Sequence, residues 1–113
     1  MEETYAHAAT LRMDAGSDAR APGGAVTVAL CGSWDHDGPC VWPHHTDVQE
    51  DGSEVAVRTV FRSGPDDEPE VRRRIEQALR DGRLVGPDGR DSRWVILSSG
   101  PTDPGDDELS RTD

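Results

Sequence analysis

The chain has no lysine: all twelve of its basic residues are arginine, set against 23 acids, for a formal net charge of −11 over 113 residues. A surface so short of cation is a poor match for phosphate, which excludes nucleic acid and anionic membrane as partners. Long apolar runs are missing too. No stretch approaches the ~18 apolar residues that a membrane-spanning helix needs. The start, "MEETYAHAATLRMD", lacks a cationic segment followed by an apolar one, so no secretory signal is expected. These absences predict a cytoplasmic protein, a compartment in which thiols stay reduced.

Large apolar side chains are scarce. Leu, Ile, Val and Phe together number 19 of 113, and only five residues are aromatic. With so high a charge, that scarcity alone would describe a disordered chain. The apolar residues are concentrated, however, in "AVTVAL", "EVAVRTVF" and "RWVIL". The pattern is that of one small folded domain over residues 1–99, followed by a disordered acidic tail over 100–113. The segment "TDPGDDELSRTD" supplies −4 of the net charge. The Ala, Gly, Asp and Arg bias fits a GC-rich, bacterial genome.

Alternation over residues 4–13 predicts a strand with Tyr5, His7, Ala9, Leu11 and Met13 on one face. "AVTVALCGSW", residues 25–34, reads as a second strand. Residues 54–62 read as a third, with Val55, Val57, Thr59 and Phe61 on one face and Arg58 and Arg62 on the other. "SGPDDEPEVRRRIEQALRDGRL" is a helix: Asp67 and Glu70 have capping-box spacing, Pro69 stands in the first turn and Gly82 ends it. Val71, Ile75, Ala78 and Leu79 form its buried stripe. "RWVILSS" is the last strand. The order β-β-β-α-β predicts an α+β fold, a mostly antiparallel four-stranded sheet with one helix packed on one face. The other face is left to solvent or to a partner, such as a second copy of the chain.

Chemistry gathers in a loop expected over residues 31–48. Both cysteines and three of the four histidines fall within fifteen residues, in "CGSWDHDGPCVWPHH". The spacing is Cys31-x4-His36-x3-Cys40-x3-His44. Two thiolates with two imidazoles are a ligand set for tetrahedral zinc. Gly38-Pro39 supplies a turn between His36 and Cys40. His44 and His45 diverge if their segment is extended, so one of the two is the ligand; His45 or the distant His7 are the substitutes for His44. Asp35, Asp37 and Asp47 could hold imidazole N–H groups, and Trp34 and Trp42 flank the loop.

The spacing lacks a Cys-x2-Cys or His-x3–5-His pair, so other readings stand beside the metal. Cys31 is then an ordinary sheet residue among solvated histidines, or Cys31 and Cys40 form a redox pair. The metal reading is a zinc-binding domain whose loop is stabilised and presented by the ion. A second is a metal-free module that dimerises or binds a protein through the Trp-flanked loop and open sheet face. The third is a thiol- or metal-dependent enzyme, which no nucleophile-elbow or phosphate-loop pattern supports. The arginines of "VRRRIEQALRDGR" interleave with acids and read as a solvated, ion-paired helix face.

Overall fold

The structure, a computed structural model, describes residues 2–31, 42–86 and 89–105, with Cys31 placed by its backbone. Seven elements follow in order: β1 (Glu3–Met13), α1 (Ala21–Cys31), β2 (His44–Asp51), β3 (Glu54–Ser63), α2 (Glu68–Asp81), β4 (Arg83–Val85) and β5 (Asp91–Thr102). The sheet order is β2-β3-β1-β5-β4, with each pairing antiparallel, and the sheet curls into a half-barrel. The α+β class and antiparallel sheet are as expected. Among the described residues, five strands and two helices replace the expected four and one. Two interleaved βαβ units result, in which β1 is flanked by β3 and β5.

The strand expected over residues 25–34 is instead the body and end of α1. Its start is built by Asp18, whose carbonyl accepts Ala21 N at 2.9 Å and whose Oδ1 accepts Arg20 N at 2.9 Å. Pro22 follows in the first turn, where its fixed φ suits a helix and its missing N–H costs nothing. Ala21 with Pro22, Ala25 with Val26, and then Leu30 are buried, a repeat of four that holds the helix on the sheet. Asp18 N donates to Ser92 Oγ at 2.9 Å, tying this start to β5. Part of the expected loop is also regular structure, because residues 44–51 form β2 at the sheet edge.

α2 spans nearly the expected residues and buries Val71, Ile75 and Leu79. Its capping box does not form: Asp67 makes no side-chain cap bond. Glu70 instead accepts from Arg73 at 2.8 Å and Arg74 at 2.8 Å, which lowers its pKa to about 2. Gly82 closes the helix at φ 66°, the left-handed conformation that favours glycine. Its carbonyl accepts Trp94 N at 3.0 Å, and Trp94 Nε1 donates to Leu79 O at 2.9 Å, so the last turn is stitched to β5.

The core lies between the helices and one sheet face, around Phe61, Leu11, Val26, Leu30, Ile75 and Trp94. The faces of β1 and β3 are as expected: odd residues point inwards. A register shift opposite Thr10 and Leu11 inserts Leu97 as an extra residue in β5. β5 continues through Thr102, three residues into the segment expected as a tail. Among the described residues no helix is long and apolar enough to cross a membrane.

Candidate functional site

The two ends of the Cys/His segment are carried by α1 and β2. Cys31 is the last residue of α1, four residues on from Thr27. His44 opens β2 and pairs with Phe61, whose side of the sheet faces the helices. Its Nε2 lies 3.5 Å from Thr27 Oγ1, across to α1. Its Nδ1 lies 3.2 Å from the carbonyl of Trp42. A carbonyl only accepts, so Nδ1 carries a proton, and Nε2 faces Thr27 on α1. His36 and Cys40 lie outside the described residues. Among the described ones no group of three His, Cys, Asp or Glu is placed to hold a metal.

Trp42 fixes where the segment returns. The ring is buried in the core, and the Arg74 guanidinium stacks over it 4.9 Å from the centroid. Arg74 is itself held by Glu70 at 2.8 Å. His45 points to the opposite sheet face from His44, as β-strand alternation requires, and pairs with Asp47 at 2.9 Å. The two histidines therefore diverge, which leaves His44 on the α1 side.

His7 is committed elsewhere. It is buried in β1, with Arg72 Nη1 3.1 Å from Nδ1, Ser99 Oγ 2.9 Å from Nε2 and Glu76 Oε1 3.5 Å from Nε2. Arg72 only donates, so Nδ1 must accept and Nε2 carries the proton. Nε2–H donates to Ser99 Oγ, and Ser99 in turn donates to Glu76 Oε1 at 3.1 Å. A serine, a histidine and a carboxylate in contact resemble a hydrolase triad, but here the proton order is reversed. The imidazole nitrogen facing the serine has no lone pair with which to take its proton. Burial first, then the Arg72 charge, pushes the His7 pKa below its ordinary value and keeps the ring neutral. Arg72 also donates to Ala6 O at 2.8 Å, pairs with Glu68 at 2.8 Å and lies over the Tyr5 and Phe61 rings. This linkage fastens α2 to β1 and β5, and it removes His7 from the list of metal ligands. No sequence signal marks it, because its members are spread from residue 7 to residue 99.

The sheet face away from the helices carries a second feature. A trough of about 520 Å³ runs over β1, β2 and β3, lined by Ala8, Thr10, Asp47, Gln49, Ala56 and Arg58. Small side chains on β1 and β3 make it. Arg58 reaches Asp103 O at 2.7 Å, which carries its side chain across β1. On the β4–β5 half of the same face stand Val85, Val95 and Leu97, exposed at 50%, 58% and 43%. Their positions follow from register: Val95 pairs with Arg12, Val85 with Asp91, and Leu97 precedes Ser98 in the bulge.

No protein-family model, curated protein or solved structure matches this chain.

Proposed function

We propose that the chain is a small metal-binding domain in which the connection from α1 to β2 holds one zinc ion through Cys31, His36, Cys40 and His44. The observation that supports this reading is the His44 ring. A metal-bound imidazole commonly donates its remote N–H to a backbone carbonyl, and Nδ1 of His44 faces the Trp42 carbonyl in that way. Its Nε2 is turned to the helix that ends in Cys31. The ion would brace the connection between a helix end and a strand start, with Trp42 and Arg74 as the fixed wall beside it.

The test is native mass spectrometry of untagged protein with elemental analysis. One zinc per chain is expected, lost in Cys40→Ser, weakened in His44→Ala and retained in His45→Ala. Metal-free protein with both thiols free overturns the reading, as does a zinc that survives Cys40→Ser.

A second reading, a module that binds through its open sheet face, is supported by the exposure of Val95 and Leu97, two residues apart on β5. Exposed aliphatic side chains gathered on one face, unlike single scattered ones, mark contact surfaces.

A further inference from the structure

His7 is the one buried histidine among the described residues, and its surroundings leave it a single way to take up a second proton. The charged groups around it come from α2. Arg72 stands at Nδ1 and is held in turn by Glu68 at 2.8 Å. Glu76 stands 3.5 Å from Nε2 and is itself 3.7 Å from Arg80. β5 presents the Ser99 hydroxyl and sets Pro101 opposite His7, and β3 sets Thr59 opposite it, all neutral. On β1 the next residue of the same face is Tyr5, whose bond to Glu3 pushes its pKa up to about 12 and keeps it neutral.

The proton already on the ring is at Nε2, towards Ser99 and Glu76. The cluster reaches solvent on that side, through a Glu76 side chain 32% exposed. A proton arriving by that route finds no lone pair. The free lone pair is on Nδ1, and Arg72 Nη1 stands on it at 3.1 Å. Once Nδ1 is protonated, two donors of like charge face each other across that distance, and one of them must leave. His7 is fixed in β1 between β3 and β5. Arg72 has a long side chain already paired towards the start of α2, through Glu68. Arg72 is the group that can move.

We propose that His7 and Arg72 form an acid switch: uptake of a proton by His7 expels the Arg72 side chain from over Tyr5 and Phe61 towards Glu68, and the imidazolium pairs with Glu76. In the neutral state the guanidinium lies 5.8 Å from the Tyr5 centroid and 5.4 Å from that of Phe61, and it holds Ala6 O at 2.8 Å. Its departure lifts the cation from the aromatic pair and releases that carbonyl. Nε2–H then has a carboxylate to meet as an ion pair in place of a neutral hydroxyl. α2 stays seated through buried Val71, Ile75 and Leu79, so the exchange resets the contact of its first turns with β1 without lifting the helix. Burial, then the Arg72 charge, puts the change on the acid side of pH 6.5. Neither zinc nor the open sheet face enters it.

NMR of the full chain, titrated from neutral to acid pH, tests the inference. The chain has one tyrosine and one phenylalanine, so the ring signals of Tyr5 and Phe61 are unambiguous reporters of Arg72. The Trp94 indole N–H, bonded to Leu79 O, reports that the fold persists. The His7, Tyr5 and Phe61 signals are expected to move with one shared midpoint while the Trp94 signal stays. Glu76→Gln should shift that midpoint to lower pH, since the imidazolium loses its partner. In Arg72→Gln, His7 should still titrate, now at higher pH, and the two rings should no longer follow it.

A His7 titration that leaves Tyr5 and Phe61 unmoved overturns the proposal, because Arg72 has then stayed in place. Ring shifts that persist in His7→Gln or in Arg72→Gln overturn it too and assign them to Glu3 or Glu68. So does loss of the Trp94 signal at the same midpoint, which makes the event global unfolding and not a switch.

Discussion

Replacing Gly82 by alanine should unfold this domain far more readily than the same change at Gly16, although both glycines have left-handed backbones. Their φ angles are 66° and 80°. An alanine in that conformation costs about 1–2 kcal/mol from its Cβ against its own backbone. Restricting the unfolded chain returns about 0.4–1 kcal/mol, so Gly16→Ala, with nothing within 4 Å of the added Cβ, should lose about 1.6 kcal/mol or less. At Gly82 the added Cβ would stand 2.6 Å from the Trp94 carbonyl oxygen. That atom is backbone in β5 and has no rotamer by which to leave. Relief requires moving α2 away from β5, which strains the Trp94 N to Gly82 O bond of 3.0 Å and the Trp94 Nε1 to Leu79 O bond of 2.9 Å. Losing one buried bond of this kind costs about 1–3 kcal/mol. Gly82→Ala should therefore lose about 1–3 kcal/mol more than Gly16→Ala. Urea unfolding followed by Trp fluorescence measures both variants. In a domain of this size 1 kcal/mol moves Tm by about 4–8 °C, so the two should separate clearly. Equal losses at the two sites would refute the steric contact and leave only the backbone preference.

Three further outcomes follow from the buried linkage and the core. The folded-state pKa of His7 lies below that of the unfolded chain, so as pH falls the unfolded chain takes up this proton first. Stability from this group should be full above about pH 6.5 and decline below it, down to the folded pKa. Urea midpoints from pH 7.5 to 5.5 should show the decline, and His7→Gln should flatten it. Arg72→Gln removes the neighbouring cation and should raise the His7 pKa, read from its imidazole protons by NMR; an unchanged value would refute the 3.1 Å contact. Trp94→Phe should cost about 2–3 kcal/mol by calorimetry, because it strands the Leu79 carbonyl and leaves a cavity in the core.

β1, β3 and α2 were legible because each carries one clean period and buries one face; β5 was legible only as far as its apolar run, since the bulge at Leu97 interrupts its alternation. Leu11, Phe61 and Ile75 all appear where alternation or helical spacing puts them. α1 was not. It lies against β2, α2 and β4 together and is apolar nearly all round, so no polar face declares a helical period. Its Val26-Thr27-Val28 run matches a strand equally well. The contrary signal was Asp18 followed by Pro22, a helix start that the two following glycines obscured. β2 has one aliphatic residue, Val48, but its inward positions His44, Thr46 and Val48 do alternate with exposed ones. The divergence of His44 from His45 was readable from that alternation. The side on which His44 falls was not, because it depends on α1 being a helix.

The place of β1 in the sheet has a consequence for synthesis. Of the strands in this sheet it is the first to be made and the one that ends in the middle, with Ala6 beside Val60 on one side and beside Thr102 on the other. Its second neighbour is made some ninety residues later. Until β5 emerges, the backbone donors and acceptors along one flank of β1 have no strand to meet, and a nascent chain carries an open edge through its centre. Closing it joins residues far apart in the chain, the slow kind of contact in folding. A chain cut before Asp91 therefore does not lose a peripheral strand. It is left with its central one as an edge.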